Sequence, residues 1–153
     1  MPKVDPLSAT EDVFWRALMR VVLSLPRRLD ADLVRTAGVT ANEYTVLMCL
    51  SEAPKRELRM AELANAAALS ASRMTRLVDD LQKRGLVTKR ASPEDGRGNI
   101  AKLTPDGMAK VKAAWPVHLA SVRSRVLDHI AAGDVQRAAQ ALSAVAQHLD
   151  ESP

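Results

Sequence analysis

The chain is short of the residues that staple or metallate a small protein. Its 153 residues include one cysteine, Cys49, which excludes an internal disulfide framework and any cysteine-based metal cluster. Cys49 falls in an apolar helical run and is expected to be a buried structural thiol. The histidines, His118, His129 and His148, are dispersed and match no metal-ligand spacing. Aromatic residues make up only 3% of the chain, while 47% is apolar and alanine is abundant. That balance favours helices packed closely through small side chains over a β-rich fold. No apolar run approaches the length of a membrane span, and MPKVDPLSATED lacks an apolar signal core. A cytoplasmic protein with no membrane partner is expected. There is also no Gly-rich phosphate loop and no Ser/His/Asp arrangement at an informative spacing. Asp79 and Asp80 are adjacent and fall on different parts of a helix surface, so they do not form a hydrolytic carboxylate pair. Enzymatic chemistry, cofactors and metals are not expected.

What the chain does contain is unevenly placed. Its length suits one domain with a proper core. Net charge is +4, yet residues 55–102 hold eleven Lys/Arg against six Asp/Glu, and the remainder eleven against twelve. The surplus therefore lies in the central third, as suits a polyanion partner.

Periodicity divides the chain. Residues 1–9 carry two prolines and no pattern, and read as a flexible arm. From Thr10, Phe14, Leu18, Val21, Val22 and Leu25 recur on one helical stripe. Pro26 interrupts it, so a kink or split is expected there, before Leu29, Leu33 and Val34 resume up to Gly38. Thr40-Ala41-Asn42-Glu43 fits a capping box, with Val39 and Tyr44 as a hydrophobic staple. That second helix stops before Pro54, and a basic loop follows with Lys55, Arg56 and Arg59. Met60–Leu69 reads as a short third helix. Ser70 is the N-cap of a fourth, whose inner stripe is Met74, Leu77, Val78 and Leu81. Gly85 stands where a left-handed C-cap would close it. Leu86–Arg90 and Asn99–Leu103 are short strand candidates around the turn residues Pro93, Gly96 and Gly98. Thr104-Pro105-Asp106 begins a long helix, in which Pro116 predicts a bend, and Gly133-Asp134 begins a last one.

Short helix, turn, longer basic helix and β-hairpin together make a winged helix-turn-helix. The runs RGLVTKR, EDGR and LTPDG, in that order, resemble the MarR family of bacterial transcriptional regulators. The resemblance implies a mainly α (α+β winged helix) fold. A DNA-binding lobe would span residues 39–103, and N- and C-terminal helices (1–38 and 104–153) would form a dimerisation lobe, all within a single MarR-like domain. It also implies a homodimer acting on double-stranded DNA as a repressor at a pseudo-palindromic operator. A winged-helix module that binds protein, with its basic face merely solvated, is the alternative.

On a helical wheel Ser72, Arg76, Asp79 and Lys83 point away from the core, with Arg73 and Thr75 on the flanks. Asp79 stands four residues before Lys83, and the two are expected to pair. In helix-turn-helix docking the N-terminal half of the second helix enters the major groove. Ser72, Arg73 and Arg76 are thus candidates for base edges or nearby phosphates, and Thr75 for phosphate. Arg97, at the Gly-flanked tip of the hairpin, suits the electronegative minor groove of A·T-rich DNA. The family resemblance makes Asp95 the residue that holds the wing, with Arg90 its candidate partner. The DNA-binding set is therefore Ser70, Ser72, Arg73, Thr75, Arg76, Lys83, Arg90, Asp95 and Arg97. Relatives commonly release DNA when an anionic aromatic compound binds beside the dimer helices. That makes a small-molecule effector a further partner to consider, with Trp15, Tyr44, Met48, Trp115 and His118 as candidate ligand residues. Some relatives sense oxidants through a cysteine in the first helix, and this chain has none there.

Overall fold

The computed structural model describes residues 5–92 and 98–151. In chain order these form α1 (Ala9–Ala37), α2 (Ala41–Glu52), a 3-10 turn (Pro54–Arg56), β1 (Glu57–Arg59), α3 (Met60–Ala66) and α4 (Ala71–Lys83). The wing strands β2 (Val87–Ala91) and β3 (Asn99–Leu103) follow, then α5 (Pro105–Arg125), a second 3-10 turn (Leu127–His129) and α6 (Val135–Glu151). The chain divides into two units, Met1–His118 and Leu119–Pro153. The second holds the end of α5, the 3-10 turn and α6, whose Leu142, Val145 and Leu149 are exposed.

The first unit is built around α2 and α4. Leu47, Leu50, Leu63, Met74, Val78 and Leu81 are fully buried, each contributing about 1.5–3 kcal/mol of burial free energy. Three strands form one antiparallel sheet in the order β1-β3-β2. β1 pairs Leu58 with Ala101, and β2 pairs Val87 with Leu103 and Arg90 with Ile100. β1 occupies the segment expected to be a basic loop. Three residues are too few to display a period-two pattern, and the strand exists because β3 offers it an edge.

Several helix ends follow from local chemistry. The capping box at Thr40 is present, with Glu43 N–H donating to Thr40 Oγ1 and Thr40 N–H to Glu43 Oε2 at 2.7 Å. A second box starts α1 one residue before the expected helix. Ser8 caps it, and hydrogen bonds from the Ser8 hydroxyl and backbone hold the Glu11 carboxyl below the usual carboxylate range. The Ser-x-x-Glu spacing was there to be read, but two nearby prolines masked it. Pro26 and Pro116 do not split their helices, since α1 and α5 run through both. Both prolines are exposed, where water can take the carbonyl that loses its donor.

Gly85 ends α4 at φ 72. Its N–H donates to the Gln82 carbonyl and that of Leu86 to the Leu81 carbonyl, the two bonds of a Schellman cap. The glycine of LTPDG has a different reason. A Cβ on Gly107 would lie 2.1 Å from the Leu86 carbonyl oxygen, so α5 seats its first turn directly on the start of the wing. Thr104 Oγ1 reinforces that seat, 2.8 Å from the Gly85 carbonyl and 3.0 Å from that of Leu86, while accepting from Gly107 N–H.

Candidate nucleic-acid interface

α3 and α4 form the helix-turn-helix. α3 closes with Ala68 at φ 51, where Ala68 N–H donates to Asn65 and Leu69 N–H to Ala64. That is again a Schellman cap, here with alanine in the position glycine usually takes. The tight turn delivers Ser70, whose Oγ accepts from Arg73 N–H at 3.4 Å and lies 3.3 Å from Ser72 Oγ. With no acid in the first turn of α4, its free N–H groups and dipole present a positive end.

Ser72, Arg73, Thr75 and Arg76 are all exposed, while Met74 and Val78 are fully buried. Thr75 donates its hydroxyl to the Ala71 carbonyl, leaving its oxygen free only to accept. The C-terminal half of α4 has a different charge state. The hydrogen-bonded partner of Lys83 is Asp80 rather than the expected Asp79. The lysine Nζ lies 3.0 Å from Asp80, a hydrogen bond that raises the lysine pKa, and the Asp79 charge contributes only a smaller push in the same direction. Asp79 turns to Lys89 on β2, forming a bridge between helix and wing. An i,i+3 neighbour and a strand lysine both outcompete the i,i+4 partner.

Three further cations of the central third are also committed. Arg84 holds Glu43, and Glu57 on β1 takes both Arg90 at 3.0 Å and Lys102 at 3.6 Å. Arg90 therefore has a carboxylate partner across the sheet, one that sequence reasoning missed because Glu57 lay in a supposed loop. Asp95 and Arg97, the expected wing pair, lie outside the described residues. On α4, Arg73 and Arg76 are the arginines that make no ion pair among the described residues. On α4 the positive surface suited to a polyanion is thus its first two turns; off the helix, Lys55 and Arg56 are also exposed and make no ion pair among the described residues.

The candidate ligand residues fall into three places. A cleft of about 250 Å³ opens between α2 and α5, lined by Met48, Ser51, Glu52, Val111, Lys112 and Trp115. Tyr44 and His118, which are not among its lining residues, meet at a tilt of 37° with ring centroids 4.8 Å apart. Tyr44 Oη and His118 Nδ1 are buried without a hydrogen-bond partner among the described residues. Burial lowers the His118 pKa and raises that of Tyr44, with the nearby Glu52 charge adding to the tyrosine shift. Trp15 sits apart, exposed on α1. Cys49 is half-buried rather than fully buried, and burial, followed by the charge of Glu52, raises its pKa, so it is a poor thiolate. Among the described residues no group of three or more His, Cys, Asp or Glu could hold a metal, and no helix is long and apolar enough to cross a membrane.

Comparison with known proteins agrees with this geometry. Residues 37–98 match the MarR family. The chain superposes on Sco3205, a MarR family transcriptional regulator from Streptomyces coelicolor crystallised with DNA, with a TM-score of 0.92 and 33% identity, covering 99% of this chain and 95% of that one. AbsC, a MarR family regulator of the same organism, gives 0.89 and 33%, covering 97% and 100%. In sequence, the chain is 29% identical over 85 residues to the transcriptional repressor YetL of Bacillus subtilis, 56% of this chain and 51% of YetL. It thus aligns with about half the length of that relative.

Proposed function

The chain belongs to the MarR family of winged helix-turn-helix transcriptional regulators, a non-enzymatic family, and from that premise we propose that it is a sequence-specific, DNA-binding repressor. The observation that carries this reading is the first half of α4, where Ser72, Arg73, Thr75 and Arg76 are exposed and neither arginine is neutralised by a described carboxylate. Two such helices in a homodimer address half-sites of a pseudo-palindromic operator about one helical turn, ~10 bp, apart. The relative YetL is itself a repressor, and Sco3205 was crystallised with DNA. The protein acts in the cytoplasm, where its DNA lies.

Residues 1–38 and 104–153 supply the pairing surface, and residues 39–103 the DNA-binding lobe. Large apolar side chains support the dimer. Phe14, Trp15, Val21 and Val22 on α1 are each more than half exposed, which a solvated monomer has no reason to select. The α2–α5 cleft is the effector site of this reading. Trp115 and Met48 give a flat apolar wall and Lys112 a cation for an aromatic carboxylate, with the paired rings of Tyr44 and His118 offering the buried Oη and Nδ1 as further polar atoms.

A gel-shift salt series on the DNA flanking its own gene tests the function. Several phosphate contacts predict a steep linear fall of log affinity with log salt. Absence of binding at low salt and micromolar protein points instead to a protein-binding winged helix with a solvated basic face.

A further inference from the structure

A recognition helix reads DNA only if its exposed face is held at a fixed attitude, and here one side chain ties the end of α4 to the end of α1. Arg84, the residue after α4, turns back across the unit. Its guanidinium donates to Glu43 Oε1 at 2.9 Å and to the Gly38 carbonyl at 2.7 Å, partners 41 and 46 residues away in sequence. Neither acceptor is incidental. Glu43 uses its other carboxylate oxygen to cap α2. Gly38 is the left-handed residue on which α1 ends, at φ 66, so its carbonyl lies at the negative end of the α1 dipole. The neighbouring Ala37 carbonyl accepts from Lys110 of α5 at 3.2 Å. The α1–α2 junction thus gathers one cation from each of two other elements, and Arg84 is the one that comes from the recognition helix.

A planar fork shared between two acceptors on different elements fixes direction as well as distance. The Arg84 side chain is 38% exposed, so the pair adds little to stability. Its contribution is geometric. We infer that Arg84 is a positioning residue for DNA recognition, setting the angle at which the reading face of α4 leaves α1. In a dimer paired through α1, that angle determines which half-site spacing is accepted. The inference rests on the DNA-binding dimer proposed above.

The test uses the full chain and a duplex selected from a random pool, together with versions in which one base pair is inserted or removed between half-sites. Wild type is expected to bind the selected spacing and to lose affinity for the others. Arg84→Gln is expected to narrow that discrimination by about threefold or more, with the dimer and the salt slope unchanged. Glu43→Gln, which keeps a capping side chain, should narrow it partially, and the double variant should be no worse than Arg84→Gln alone. If Arg84→Gln does not fold, Arg84→Lys is read in its place. It keeps the charge but loses the fork, and the same narrowing is expected. Unchanged discrimination in the folded variant, or an equal loss on every spacing, overturns the positioning role. A wild type that binds DNA without spacing preference also overturns it and leaves DNA binding standing. A wild type that selects no duplex overturns the proposed function itself.

Discussion

Arg76 and Lys83 both project from the outer face of α4, and their neighbours separate them. Lys83 is held by Asp80, while Arg76 has no described carboxylate to answer. Arg76→Ala is therefore expected to weaken operator binding by roughly 1–3 kcal/mol if it reads a base. If it holds a phosphate instead, affinity should fall similarly on all sequences and the salt slope by about one. Fluorescence anisotropy on cognate and scrambled duplexes separates the two, and an unchanged affinity on both removes Arg76 from the interface. Lys83→Ala should change little in the same assay. His118 gives a prediction of a different kind. Its folded pKa lies below the ordinary 6.5 because burial disfavours the imidazolium. As pH falls through about 6.5, the unfolded chain binds a proton that the folded chain resists, so stability is full above that pH and declines below it. Urea denaturation between pH 7.5 and 5 should show the decline and His118→Phe should flatten it. An equal slope in both proteins contradicts the assignment.

At the scale of elements, backbone geometry decides what the side-chain pattern does not. The helix-turn-helix turn depends on Ala68 in the left-handed region, which costs an L-residue roughly 1–2 kcal/mol. Ala68→Gly relieves that strain and is expected to raise unfolding stability by about 0.5–1 kcal/mol after the added entropy of an unfolded glycine. No gain in chemical denaturation would mean that the turn is not strained. Gly107→Ala should act the opposite way, losing about 1–3 kcal/mol, because the new methyl would meet the Leu86 backbone carbonyl, which cannot swing aside, as well as the Leu103 side chain. These two residues also mark what the sequence discloses. The stripe Met74, Val78 and Leu81, the Thr40 box and the Gly85 cap were legible because each is a local pattern with a local cause. Strand β1 was not, since its pairing with Ile100–Lys102 depends on residues more than forty positions away. The Glu57 partner of Arg90 and the Lys89 partner of Asp79 were missed for the same reason, as sequence spacing ranks partners along one element and cannot see across a sheet. Gly107 sat in a quoted motif, but nothing local says that the Leu86 carbonyl occupies the space of its Cβ.

For the molecule as a whole, the proposed dimer joins a narrow cationic reading surface to a second copy through apolar helices. Val22 is 54% exposed on α1, so Val22→Asp should leave each chain folded while placing a charge in the pairing surface. An increase of about a hundredfold or more in the dimer dissociation constant is expected, seen by sedimentation equilibrium, with operator affinity falling alongside. A dimer of undiminished strength would move the interface away from the middle of α1. The central claim, that paired α4 helices read a two-fold DNA site through Arg73 and Arg76, is tested most directly by selecting binders from a pool of random duplexes. The account predicts enrichment of an inverted repeat with half-sites about one helical turn, ~10 bp, apart, and its loss in the Arg73→Ala/Arg76→Ala double variant, which still forms a dimer. Failure of the wild-type protein to enrich any motif, or recovery of the same motif by the double variant, would contradict it.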